Sequence, residues 1–165
     1  MTVPASQTCR SIMTTTPAVL KSGDTIETAL HRLLEDKLLA LPVVDEAERY
    51  LGMFLRSRLV ALLLPKIVAL EGQIPEIARL VEVGFMSDTL DDANERFRAV
   101  AGEPVSEYLE TEGQVLHPET PVMNAVLFLY RTRTYLPVVE KASGRLLGVV
   151  STWDILQRIA RPPAR

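Results

Sequence analysis

Cysteine is nearly missing from this 165-residue chain: Cys9 stands alone. That excludes an internal disulfide and fits a reducing compartment, the cytoplasm. Long apolar runs are missing too. Leu59 to Leu64 comes nearest, and Pro65 and Lys66 stop it far short of the roughly 20 residues a membrane-spanning helix needs, so no membrane insertion is expected. Arg10 is the only basic residue among the first twenty and no apolar stretch accompanies it, so the N-terminus does not read as a signal peptide. No run of basic residues stands out and the net charge is −3, which removes the electrostatic reason to expect nucleic acid. The two histidines, His31 and His117, make no metal-ligand spacing with Cys9. They also leave a hydrolytic triad little to draw on. Phosphate-loop and dinucleotide glycine fingerprints and a nucleophile elbow are absent. With 47% hydrophobic and 24% charged residues, the chain reads as a soluble globular domain; an enzyme would need a general base or metal, and the sequence supplies no convincing one.

What is present occurs twice. Leu41-Pro42-Val43-Val44-Asp45, followed by Leu51-Gly52-Met53-Phe54, returns as Leu136-Pro137-Val138-Val139-Glu140 followed by Leu147-Gly148-Val149-Val150. Pro42 to Pro137 is an offset of 95 and Gly52 to Gly148 of 96, while Leu20 and Ala29 match Leu116 and Ala125 at 96. A repeat of this length is one supersecondary unit used twice, packed about a pseudo-two-fold axis with a cleft between the copies.

Each copy reads strand, helix, strand, strand, helix. In the first, Val19-Leu20 is a strand and Asp24 caps a helix carrying Ile26, Ala29, Leu30, Leu33 and Leu34 at helical spacing. The helix ends before Leu41-Pro42, since the residue before proline avoids the helical region. Val43-Val44 and Leu51 to Leu55 form a hairpin, and Ser57 to Leu64 closes the copy. In the second, Val115-Leu116 is the strand, Thr120 caps a helix with Pro121 at its first position, and Val122, Ala125, Val126 and Leu129 line the buried face. Leu136–Glu140 and Arg145–Val150 pair around Ser143-Gly144, and Trp153 to Ile159 closes the copy before Arg161-Pro162-Pro163. The organisation is thus a loose arm 1–11, a repeat over 12–64, an insert over 65–104, a second repeat over 105–160 and a tail 161–165.

The insert is punctuated by Pro65, Gly72, Pro75, Gly84, Gly102 and Pro104, with two amphipathic stretches between. The clearer stretch starts at Asp88 as cap, with Asp91 three on, and presents Leu90, Ala93, Phe97 and Val100 for burial. Its isoleucine, valine and phenylalanine content argues for packed helices over a flexible linker. Two roles stand open: a cover on the repeat core, or a dimerisation or docking element.

The second copy also holds the best candidate for chemistry. Gly148-Val149-Val150-Ser151-Thr152-Trp153-Asp154 runs off a strand into a helix. Gly148, without a Cβ, admits a ligand or a neighbouring backbone. Ser151 or Thr152 caps the helix, whose free N–H groups suit a phosphate. Asp154 lies close enough to accept hydrogen bonds from the vicinal hydroxyls of a ribose. The alternative is that Ser151 and Asp154 are simply a capping pair. Trp153 and Phe97 read as core or interface residues.

The element order, the phrase Leu-Pro-Val-Val and the ending Gly-Val-Val-Ser-Thr-Trp-Asp resemble the CBS domain, named after cystathionine β-synthase. The resemblance covers about 12–64 and 105–160. It implies an α+β fold of two pseudo-symmetric β-α-β-β-α repeats, a disc called a Bateman module, that binds adenosine-containing ligands between its sheets. By resemblance, Ser151 or Thr152 would hold phosphate and Asp154 the ribose hydroxyls. Leu116, His117, Pro118, Tyr135 and Pro137 would flank the base. The first copy departs from the pattern. Leu55 stands at the Ser151 position and Arg58 at the Asp154 position, and arginine has no acceptor for a ribose hydroxyl. One ligand per chain is therefore expected, with Arg56 and Arg58 either reaching its phosphates or remaining solvated surface charges.

The resemblance thus implies a regulatory module that requires no cofactor and is not an enzyme. Its ligand would be AMP, ADP, ATP or S-adenosylmethionine, and it would signal to a partner protein on another chain by conformational linkage. It also implies a homodimer, with the closing helices (Leu59, Leu62, Leu63; Ile155, Leu156, Ile159) as contact surface. The rival reading is a structural or dimerisation module whose ligand site has decayed.

Overall fold

The computed structural model describes residues 4–71, 73–74, 76–77, 79, 81 and 87–162. Gly72, Pro75, Gly84 and Pro163, named above, lie outside the described residues. The first repeat consists of β1 (Leu20–Lys21), α1 (Ile26–Glu35), β2 (Ala40–Val44), β3 (Tyr50–Leu55) and α2 (Arg56–Leu63). α3 (Leu90–Val100) belongs to the insert, and α4 (Val122–Thr132), β4 (Leu136–Val139), β5 (Leu146–Val150) and α5 (Thr152–Ala160) form the second repeat. β1 runs parallel to β2, which pairs antiparallel with β3 in the register Pro42↔Met53 and Val43↔Gly52. In the second repeat Pro137↔Val149 and Val138↔Gly148 repeat that register. There the first strand shrinks to a single parallel bridge, Leu116↔Val138.

All five residues of β2 and all four of β4 are buried, which explains their unbroken apolar runs: a strand covered on both faces has no reason to alternate. Each repeat has its own core. Leu20, Ile26, Ala29, Leu33, Leu41, Val43, Phe54 and Leu59 pack together in the first, and Leu116, Ala125, Leu129, Leu136, Val138 and Val150 in the second.

The lead-in segments join the halves. Cys9 is fully buried in the second core, and Val105, its counterpart 96 residues on, is fully buried in the first. The stretch read as a loose arm is therefore folded over residues 4–11. Two short 3-10 turns, Ala5–Gln7 and Cys9–Ser11, carry it, with Cys9 N–H donating to Thr120 O at 2.8 Å and Arg10 N–H to Pro118 O at 2.9 Å. The pattern missed it because one buried cysteine within a polar stretch carries no periodicity. Val105 N–H donates to Asp24 O at 2.8 Å in the matching place.

Each lead-in then crosses to the opposite hairpin. Thr14 exchanges backbone hydrogen bonds of 2.9 and 3.0 Å with Val149, and Glu110 exchanges 2.8 and 3.0 Å bonds with Met53. This crossing accounts for both repeat glycines. A Cβ on Gly148 would collide with the Thr14 carbonyl oxygen, and one on Gly52 would stand 2.8 Å from Glu110 O. The hairpin tips also meet, with Tyr50 N–H on Gly144 O at 2.9 Å and Leu146 N–H on Glu48 O at 3.1 Å.

Helix starts differ from the sequence expectation by one residue. Thr25, not Asp24, caps α1 by accepting from Thr28 N–H, while Asp24 closes the preceding turn by accepting from Lys21 N–H at 2.9 Å. Thr89, not Asp88, caps α3 in a reciprocal capping box with Asp92. Asp88 instead takes both arms of Arg96, at 3.0 and 2.7 Å, and Arg96 Nε donates to Leu63 O at 2.7 Å, fastening α3 to the end of α2. Pro121 is itself the cap residue of α4, and Thr120 Oγ1 accepts from His117 N–H at 3.0 Å within the turn. Where an acid and a hydroxyl are adjacent, the hydroxyl takes the cap and the acid a neighbouring turn or arginine. In the insert, Phe97 packs on the first core as expected, but Leu90 is 84% exposed. The backbone beyond α3 supplies what α1 lacks: Glu103 O and Ala101 O accept from the Ile26 and Glu27 N–H groups, both at 3.0 Å, which otherwise have no intrahelical acceptor.

Candidate ligand clefts

The two-fold arrangement produces two clefts that share no residue. The one at the β5–α5 junction has a volume of about 270 Å³. Thr14, Thr16, Pro17, Asp36, Leu38 and Pro42 of the first half meet Tyr135, Val149, Ser151, Trp153 and Asp154 of the second across it. Asp154 Oδ2 accepts from Ser151 N–H at 2.6 Å and from Ser151 Oγ at 2.7 Å, while Ser151 Oγ accepts from Asp154 N–H at 3.3 Å. The pair is thus a capping box, the simpler of the two readings. Thr14 Oγ1 donates to Asp154 Oδ1 at 3.1 Å, so the crossing lead-in orients the carboxylate as well. Oδ1 retains acceptor capacity beyond that single bond. Past Asp154 the cleft meets a polar recess of about 250 Å³, lined by Ser11, Ile12, Gln157, Arg158 and Arg161 with Asp154 as the shared wall.

The other expected site residues divide. Tyr135 lines the cleft with Ser151 and Asp154. Thr152 is the first residue of α5 and exposed. Gly148 faces Thr14 and borders a recess of about 160 Å³ with Thr16, Val44 and Glu48. Leu116 is a core residue. His117 Nδ1 lies 2.8 Å from Val139 O; since a carbonyl only accepts, that nitrogen carries the proton. Pro118 serves the arm through its carbonyl, and Pro137 is buried in β4, its carbonyl accepting from Leu116 N–H at 2.9 Å. In place of Leu116, His117, Pro118 and Pro137, the cleft is flanked by Thr16, Pro17, Leu38 and Pro42 from the opposite half. The signal that finds them is the two-fold axis itself. A cleft between two related copies takes its walls from both, and Pro42 is the repeat partner of Pro137. Trp153 is 70% exposed and lines the cleft, not the core.

The second cleft, at the β3–α2 junction, has a volume of about 440 Å³, with Arg56 in its wall. Arg56 is therefore separate from the Asp154 cleft, and Arg58 is exposed and lines neither. Among the described residues no group of His, Cys, Asp or Glu gathers to hold a metal, and no helix is long and apolar enough to cross a membrane.

The sequence matches the CBS domain family model over residues 9–65 and again over 105–161. The chain belongs to the CBS-domain family. Its two CBS repeats pack as the pair described above, and solved CBS pairs share the fold at low identity. CBSX2 from Arabidopsis thaliana superposes with a TM-score of 0.69 at 20% identity, covering 93% of this chain and 94% of that one. A structure of CBSX2 in complex with AMP gives 0.65 at 22%, covering 93% and 98%. CbpB in complex with c-di-AMP gives 0.62 at 14%, covering 93% and 84%. No curated protein matches the chain.

Proposed function

We propose that this CBS pair is a regulatory module that binds an adenosine-containing ligand in the Asp154 cleft and transmits its occupancy to a partner protein. The observation that carries the reading is the composition of that one cleft. An apolar slot between Pro17, Leu38, Pro42 and Tyr135 ends on a fixed carboxylate with acceptor capacity to spare. The slot suits a purine, and Asp154 Oδ1 suits a ribose hydroxyl. A 5′-phosphate would run toward Ser11, Arg158 and Arg161 beyond Asp154. The AMP bound to CBSX2 and the c-di-AMP bound to CbpB support the same ligand class. S-adenosylmethionine remains in it, because the cleft itself holds Asp36 and Asp154 and no cation. Because both repeats contribute walls, a bound ligand favours one relative setting of the halves, which is the linkage a partner would read.

A homodimer fits the same picture through one face only. α3 roofs the first repeat, where Leu59 is core and Phe97 packs above it. Among the described residues no helix covers the matching face of the second repeat: Met123, Leu127 and Tyr130 on α4 and Leu156 and Ile159 on α5 are 45–79% exposed. A second copy packing there would bury this face.

Thermal unfolding with AMP, ADP, ATP, c-di-AMP and S-adenosylmethionine tests the proposal, beside Asp154→Asn, which preserves the shape of the capping box. A ligand at about 100 times its Kd contributes ~2.7 kcal/mol, a rise of about 5–10 °C in Tm for this size. The expected result is such a rise with at least one ligand, largely lost in Asp154→Asn. No rise with any of the five would leave the structural or dimerisation module as the reading.

A further inference from the structure

The cleft of the first repeat inverts the chemistry of the second. Leu39, Leu55 and Val60 form its apolar side, and Arg56, Ser57 and the run Thr132-Arg133-Thr134 supply everything polar. No carboxylate, amide or imidazole lines it. Its charged groups are guanidiniums alone, which donate hydrogen bonds and accept none. Asp36 and Asp154 give the other cleft two negative charges, whereas Arg56 and Arg133 give this one two positive charges. Neither arginine forms an ion pair among the described residues.

The surroundings are donor-rich as well. α2 starts on Leu55, a cap residue with no side-chain oxygen, so its first turn has no side-chain acceptor. Arg133 sits at the C-cap of α4 in the left-handed region, φ 55°, anchored by its N–H on Leu129 O, which fixes where its side chain departs. Thr134 Oγ1 is sealed from solvent and has no hydrogen-bond partner among the described residues, an unsatisfied hydroxyl of the kind folded proteins rarely keep.

We infer that the Arg56–Arg133 cleft binds a compact phosphate-bearing anion and reads no ribose. Guanidinium pairs match phosphate oxygens in geometry as well as charge. Leu55 and Arg58, standing where Ser151 and Asp154 stand in the other repeat, remove the carboxylate and the cap hydroxyl with which that repeat would hold a nucleoside, and leave hydroxyls as the only side-chain acceptors in the lining. The recognised chemistry is the phosphate chain, whether free or as the tail of a nucleotide.

Calorimetric titration of the full chain with sodium pyrophosphate at constant ionic strength tests this. It is run beside Arg56→Gln/Arg133→Asn, where asparagine tolerates the left-handed backbone, and beside Arg158→Gln/Arg161→Gln at the other recess. The expected result is saturable binding that weakens at least about tenfold in the first double variant, from loss of charge-assisted bonds, and holds in the second. In an Asp154→Asn background, ATP and inorganic tripolyphosphate should bind alike. Absence of binding, loss in the Arg158/Arg161 variant instead, or binding of ATP without tripolyphosphate would each overturn the inference. Unchanged Tm of the first double variant without ligand confirms that folding is not the cause. The adenosine reading has its own variant, so either can fail alone.

Discussion

Cys9 illustrates how much one residue can do here. It is a small apolar plug in the second core, and burial pushes its thiol up from the ordinary 9.0 to about 11. Between those values the unfolded chain releases the proton while the folded chain keeps it, so stability is fully present below pH 9 and falls as pH rises toward 11. Denaturant unfolding as a function of pH should show that decline, and Cys9→Ala should remove Cys9's share of it. Gly148 carries a steric constraint of the same local kind. Gly148→Ala should cost about 1–3 kcal/mol as the Thr14 strand is forced away. Gly23→Ala, with nothing within 4 Å of the added carbon, should stay within about 0.5 kcal/mol. Equal effects at the two glycines in chemical denaturation would refute the crossing-strand explanation.

At the scale of elements, the paired helix starts show where the repeats have diverged. Ser151 and Asp154 cap α5 reciprocally, while α2 starts from Leu55 without a side-chain cap. Ser151→Ala should therefore cost about 1 kcal/mol in stability; a change of only a few tenths would mean that Thr14 and Asp154 hold the helix start without it. The strands and helices were legible in the sequence because Leu-Pro-Val-Val and the spacing of Ile26, Ala29 and Leu33 carry their own periodicity. Cap identities were not, since Asp24-Thr25 and Asp88-Thr89 each offer two competent side chains. The choice between them depends on partners remote in sequence, such as Arg96 for Asp88.

For the whole molecule, the fold followed from the repeat, but the cleft walls did not. Ser151, Asp154 and Tyr135 can be named from one copy, whereas Thr16 and Pro17 follow the crossing at Thr14 and Pro42 comes from β2 of the other repeat, a meeting that no local pattern encodes. The described part of the insert breaks the symmetry at this scale, since α3 covers one helical face while apolar side chains on α4 and α5 stay exposed. If two copies meet there, Leu127→Glu/Ile159→Glu should convert the dimer to a monomer in sedimentation, with the circular dichroism of the fold retained because both side chains are already solvent-exposed. A wild-type chain that sediments as a monomer would refute the dimer.

The exchanged lead-ins also set an order of events during synthesis. When the first repeat leaves the ribosome its core still lacks Val105, and Cys9 waits for a second core that does not yet exist. Neither half can complete itself as it emerges. A nascent chain stopped before Val105 would hold an open hydrophobic wall, and the place Cys9 fills is not built until the second repeat has emerged.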